Sequence, residues 1–150
     1  MTHLKPGNKV PDFKGKDQNG NSIALSDFKD SKLVLYFYPK DNTPGCTAQA
    51  CNLRDNYEAL LSKGFKVVGV SADSEISHQK FIEKYNLPFP LIADPAKIIL
   101  RAFGVWGPKK FMGRQFDGIH RTTFIINENG LISEIIEKVE TKNHVAQIIS

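Results

Sequence analysis

Residues 32 to 52, KLVLYFYPKDNTPGCTAQACN, pass from an apolar run to a proline, then to a turn, then to a segment holding both cysteines of the 150-residue chain. The run KLVLYFY (32–38) is rich in branched and aromatic residues and lacks polar alternation. That pattern predicts a central strand covered on both faces. Pro39 removes a ladder donor and ends the strand. Thr43-Pro44-Gly45 is turn material leading into a helix, so Cys46 falls in or near the first helical turn.

Outward from this stretch, FKVVGVSA (65–72) repeats the buried-strand signature. Between the two runs Leu53, Tyr57, Leu60 and Leu61 follow the spacing i, i+4, i+7, i+8, which predicts one amphipathic helix closed at Lys63-Gly64. The unit is βαβ. Upstream, DFKGKDQNGNSIALSDF (12–28) reads as two short strands around Asp17-Gln18-Asn19-Gly20, an N-terminal edge hairpin, with Ser26 or Asp27 as a helix start. Downstream, a partial stripe of Ile76, Phe81, Ile82 and Tyr85 predicts a helix over 74–85. The strand FPLIAD and a helix around AKIILRAF follow. HRTTFIINENGLISEIIEKV then gives two strands about Asn127-Glu128-Asn129-Gly130, and Thr141 starts a last helix. This order predicts an α/β fold, a mixed central sheet flanked by helices with a thioredoxin-like topology, in a single domain over residues 1–150.

An apolar content of 41% and a charged content of 24% are those of an ordinary globular chain and exclude fibrous and disordered classes. The start, MTHLKPGNKVPDFKG, has no continuous apolar segment of the export type. No later window approaches the roughly 18 apolar residues a membrane helix needs. The expectation is a cytoplasmic protein with no membrane partner. A net charge of +4 suggests a nucleic-acid partner only if the cations cluster, and the longest basic cluster is Lys109-Lys110. No nucleic acid is expected. Two cysteines are too few for a secreted disulfide scaffold, so any bridge in a reducing cytosol is transient. His3, His78, His120 and His144 do not cluster in sequence, so no metal or other cofactor is expected.

At the start of a helix Cys46 faces unpaired backbone N–H groups and the positive end of the helix dipole, both of which favour thiolate. A free thiol is already roughly 3% ionised at neutral pH, so full ionisation raises the reactive fraction only about thirty-fold. Fast chemistry needs groups that orient the electrophile and stabilise departing charge. The stretch offers the Thr43 hydroxyl and the N–H groups of Gly45 and Cys46. Cys51 lies five residues on, where an ideal helix sets the side chains about 140° apart and the Cα atoms roughly 8.5 Å apart. A disulfide wants less than about 7 Å. The two sulfurs can therefore bond only if the helix locally unwinds. Two unrelated buried cysteines remain the plain alternative.

The stretch resembles the peroxiredoxins, specifically the bacterioferritin comigratory protein or peroxiredoxin Q subgroup. The shared motif of Pro, three residues, Thr, two residues and Cys stands here as Pro39, Thr43 and Cys46, and the subgroup's second cysteine, five residues later, is Cys51. The likeness continues through YFYPKDNTPGCTAQACNLRD, FGVWGPKKFMG and DGIHRTTFIINENG. It implies a thioredoxin-like fold and thiol-dependent reduction of hydrogen peroxide and organic hydroperoxides. By that resemblance Cys46 is the peroxidatic thiolate, oxidised to a sulfenic acid, and Cys51 resolves it as an intramolecular disulfide. Thioredoxin, or a glutaredoxin-like donor, would then reduce the bridge.

The resemblance further implies that Thr43 hydrogen-bonds the peroxide, that Pro39 shields the sulfenate, and that Arg121 in GIHRTTF is the active-site arginine. Read from the strand alone, Arg121 is a surface residue in a charge pair. Gln49 stands where many peroxiredoxins carry Glu and is a supporting position. Trp106 and Phe111 read as core or pocket wall. Relatives tend to be monomers, and their final helix runs longer than HVAQIIS, so this end is expected to be trimmed. Two rivals remain. A general thiol-disulfide oxidoreductase usually carries C-x-x-C. A noncatalytic redox-sensing or chaperone-like module would consume peroxide without turnover.

Overall fold

The apolar run at 32–38 forms the third strand in the chain, and its side chains divide by parity. Leu33, Leu35 and Phe37 enter one core; Val34, Tyr36 and Tyr38 enter another on the opposite face. That is the period-two alternation of a strand whose both faces are covered. The computed structural model describes residues 1–149. Its strands are β1 (Lys14–Lys16), β2 (Ser22–Ala24), β3 (Lys32–Phe37), β4 (Phe65–Ser71), β5 (Leu91–Ala93), β6 (Trp106–Phe111), β7 (Arg114–Ile119), β8 (Thr122–Ile126) and β9 (Ile132–Ile136). The helices are α1 (Pro44–Asp55), α2 (Tyr57–Ser62), α3 (Glu75–Tyr85), α4 (Ile98–Ala102) and α5 (His144–Ile148).

Seven strands make one mixed sheet in the order β2-β1-β5-β4-β3-β8-β9. β3, β4 and β5 run parallel, and β8, β9 and the N-terminal hairpin β1–β2 are antiparallel additions on either side. α4 supplies Ile99 and Leu100, followed by Phe103, to one face. On the other, α1, α2 and α3 bury Cys46, Ala50, Leu53, Leu60 and Phe81, with Val145 and Ile148 of α5 packed against them. The close fit shows at Gly69, where an added Cβ would stand 2.7 Å from Leu91 Cδ2 and 2.9 Å from Tyr36 Cζ. Overpacking of that kind costs about 1–3 kcal/mol.

The α/β class, the mixed sheet and the edge hairpin agree with the sequence reading. Four local expectations do not. The helix read through Leu53 to Leu61 is two helices broken at Asn56, whose Nδ2 donates to Asn52 O at 2.8 Å, and Leu61 is exposed. Ser26 and Asp27 lie inside a single 3-10 turn, Leu25–Phe28, where the Asp27 carboxylate accepts from Ala24 N. Ile76 points to solvent. The hairpin β6–β7 was not foreseen; Phe111 near its tip is 66% exposed and walls no core, while Trp106 at its base is partly buried against one.

A last contact bears on α1. Asn52 donates through Nδ2 to Lys142 O at 3.3 Å and accepts Val145 N on Oδ1 at 2.8 Å, which clasps the C-terminal segment onto the helix.

Candidate active site

Pro44 opens α1, and Cys46 is its third residue, with Thr43 as the N-cap. Pro fits this end because its missing N–H is one that helix geometry leaves unpaired. The Thr43 side chain makes no capping bond; its hydroxyl donates backwards to Lys40 O at 2.8 Å. Among the described residues no partner stands opposite the N–H of Gly45 or Cys46. Cys46 is buried, at 2% exposure, so what surrounds it decides its chemistry.

Arg121 comes to that sulfur from the segment leading into β8. β8 runs antiparallel to β3 with Phe37 opposite Thr122, so the residue before Thr122 lies at the end of β3 where the chain turns into α1. Arg121 therefore sits in the connection between β7 and β8, not within a strand. Its Nη2 donates to Cys46 Sγ at 3.3 Å, and its Nη1 donates to Gln49 Oε1 at 2.7 Å. A guanidinium in contact with sulfur stabilises negative charge there in a setting poor in water. Gln49 is fully buried one turn beyond Cys46; its Nε2 has no partner among the described residues. The neutral amide orients the guanidinium without cancelling its charge.

Lys109 of β6 stands near the same group. Burial, then the charge of Arg121, pushes its ammonium below the usual lysine range, and Nζ donates to Ile119 O at 2.8 Å. A cleft of about 270 Å³ lined by Lys109, His120, Arg121 and Thr122 adjoins the guanidinium. Pro39 is half-buried at the end of β3.

The structure thus gathers Gly45, Cys46, Gln49 and Arg121, with Thr43 at the N-cap of the same helix and Pro39 just past the end of β3. Cys51 is on the same unbroken helix, half-buried, and both cysteines are free thiols. Lys109 was not among the expected site residues; its one mark in the chain is its place next to Lys110.

One group could be taken for a cation site: the ligand atoms of Asp41, Asp73 and His78 lie within 4.8 Å of one another. The donors already present argue against it. Asp41 accepts the hydroxyls of Tyr38 and Ser77, and Asp73 Oδ2 accepts the Ser71 hydroxyl and Asp41 N. Hydrogen-bond donors already occupy Asp41 Oδ1 and Oδ2 and Asp73 Oδ2, so the cluster is accounted for as a hydrogen-bonded network. Among the described residues no helix is long and apolar enough to cross a membrane.

The AhpC/TSA family model matches residues 6–135. The peroxiredoxin Bcp of Bacillus subtilis is 45% identical over 146 residues, covering 97% of this chain and 93% of that relative. Among solved structures, a mutant of Xylella fastidiosa PrxQ superimposes with a TM-score of 0.92 at 31% identity, covering 99% of this chain and 94% of that one. The Xanthomonas campestris bacterioferritin comigratory protein, studied for alkyl peroxide reduction, does so with a TM-score of 0.87 at 32% identity over 99% of this chain and 94% of that one. Matches of this length around a buried cysteine paired with a guanidinium leave one conclusion: the chain belongs to the AhpC/TSA family and, within it, to the Bcp/peroxiredoxin Q group of peroxiredoxins, thiol-dependent peroxidases.

Proposed function

We propose that Cys46 is the thiolate that attacks the peroxide. The observation that carries this reading is the 3.3 Å contact between Arg121 Nη2 and the buried sulfur at the start of α1. The sulfur attacks one peroxide oxygen, the O–O bond breaks, and the departing alkoxide or hydroxide takes a proton to leave as alcohol or water. Cys46 becomes a sulfenic acid. Arg121 stabilises charge at the sulfur and on the leaving oxygen. The N–H groups of Gly45 and Cys46, without backbone partners at the start of α1, would donate to the same oxygen. The Thr43 hydroxyl donates to Lys40 O, so its oxygen is free to accept a hydrogen bond from the peroxide O–H. Pro39 limits access by water and excess oxidant.

Cys51 then attacks the Cys46 sulfur, a disulfide forms, and the oxygen leaves as water. A thiol reductant closes the cycle, and thioredoxin fits the role, a glutaredoxin-like donor less closely. Hydrogen peroxide and organic hydroperoxides are the substrates, a reading supported by the alkyl peroxide reduction studied in the Xanthomonas relative. A cytoplasmic monomer with no cofactor and no nucleic-acid or membrane partner completes the proposal. Steady-state peroxide reduction by wild type, Cys46→Ser and Cys51→Ser tests it. Cys46→Ser loses activity, and Cys51→Ser loses thioredoxin-linked turnover yet consumes about one peroxide per chain. Catalysis retained by Cys46→Ser overturns the assignment.

A further inference from the structure

The loop between β3 and α1, which carries Pro39 and Thr43, is fastened by a buried polar cluster that the peroxide chemistry above leaves idle. Asp41 is at its centre. Its carboxylate receives the Tyr38 hydroxyl at 2.6 Å on Oδ1, and the Ser77 hydroxyl and His78 Nδ1 at 2.7 Å each on Oδ2. His78 is fully buried, and its Nε2 stands 3.0 Å from the carbonyl oxygen of Ile92. A carbonyl only accepts, so Nε2 carries a proton. The Tyr38 and Ser77 hydroxyls converging on Asp41 are the arrangement of an ionised carboxylate, which then accepts from Nδ1. The enclosed ring spans β5 and the loop.

The neighbouring charges are few. Tyr38 faces the pair from just past the end of β3 as a neutral phenol, pushed above its ordinary range by burial first and by Asp41 second. Asp73 stands one step away, held by the Ser71 hydroxyl at 2.7 Å and by Asp41 N at 2.8 Å. Lys80 and Lys84 line the cleft outside Asp41. The loop residues on either side are tied too. Lys40 O accepts from Thr43, and Asn42, with φ of 58°, accepts the Tyr85 hydroxyl at 3.0 Å. For stability alone an apolar pair of equal volume serves as well as a buried ion pair. What the ion pair adds is direction.

We propose that His78 is a positioning residue for the peroxide reaction: its doubly protonated ring, fixed between the Ile92 carbonyl and Asp41, sets the loop that delivers Pro39 and Thr43 to the start of α1. This rests on Cys46 being the attacking thiol. The first test is on reduced wild-type protein near neutral pH, where both ring nitrogens of His78 should show the 15N shifts and attached protons of an imidazolium; a neutral ring overturns the proposal. The second is stopped-flow oxidation of Cys46 in His78→Gln, Asp41→Asn and the double variant, with folding checked by thermal melts. Each folded single variant should slow Cys46 oxidation about tenfold or more, as expected of a displaced reacting geometry, and the double variant should be no slower than the worse single one. Folded variants that oxidise Cys46 at the wild-type rate overturn the positioning role and leave the Cys46 assignment standing. A wild type whose Cys46 takes up no oxygen removes both.

Discussion

Gly45 and Arg121 share one volume. A Cβ built on Gly45 would stand 3.2 Å from Arg121 Nη2, the same nitrogen that donates to Cys46 Sγ at 3.3 Å. A Cβ at residue 45 would force the guanidinium to give by a few tenths of an ångström.

Gly45→Ala therefore separates stability from activity. Alanine gains helix propensity, up to about 1 kcal/mol, so the thermal midpoint holds or rises. The displaced guanidinium should slow Cys46 oxidation about tenfold, read by stopped-flow kinetics. An unchanged rate would show that Arg121 is not needed at this distance.

Arg121→Lys tests the fork itself. One planar group serves Gln49 Oε1 and Cys46 Sγ together, and an ammonium cannot hold both in the same geometry. The second-order rate constant for peroxide should fall about 10²- to 10³-fold, the cost of losing a preorganised donor, with little change in the melting curve.

Oxidation should melt α1. An unbroken helix through Cys46 and Cys51 holds the Cα atoms roughly 8.5 Å apart, beyond disulfide reach. Amide exchange over residues 46 to 55 should be slow in the dithiol protein and fast in the disulfide. Equal protection in both would count against an intramolecular bridge.

Stability should fall on acidification in a way that depends on His144. Its ring is buried, with Nδ1 on Gln147 Oε1 and Nε2 on the Thr123 hydroxyl, each at 2.8 Å. Burial pushes the imidazole below its ordinary range, with the Arg121 charge assisting. The unfolded chain then binds the proton first, so stability is full above the ordinary value, about 6.5, and is lost as pH falls from there through the lower native value. Urea titrations across that range should show a shallower pH slope for His144→Gln than for wild type. Identical slopes would exclude His144 as the source.

The legible parts of this molecule are those whose sequence carries their burial. β3 and β4 are covered on both faces and read as apolar runs. The hairpin β6–β7 is open to solvent along most of its length, so Phe111 and Phe116 fall among lysines and glycines without alternation, and only Met112-Gly113 marks the turn. Cys46 and Cys51 were visible because the chain has no other sulfur nucleophile. Their surroundings were not. The approach of Arg121 depends on the Phe37–Thr122 register, and the Asp41–His78 pair spans 37 residues, so neither leaves a local pattern. Leu61 and Ile76 fitted helical stripes by spacing alone, yet tertiary packing left both in water.

The clasp at Asn52 has a reach that its size conceals. The residue beside Cys51 holds a segment 90 positions downstream by both ends of one amide. If the helix gives way so that the sulfurs can meet, that grip opens with it. A label near Lys142 would then signal, on the outer surface, which of two chemical states the hidden thiols are in.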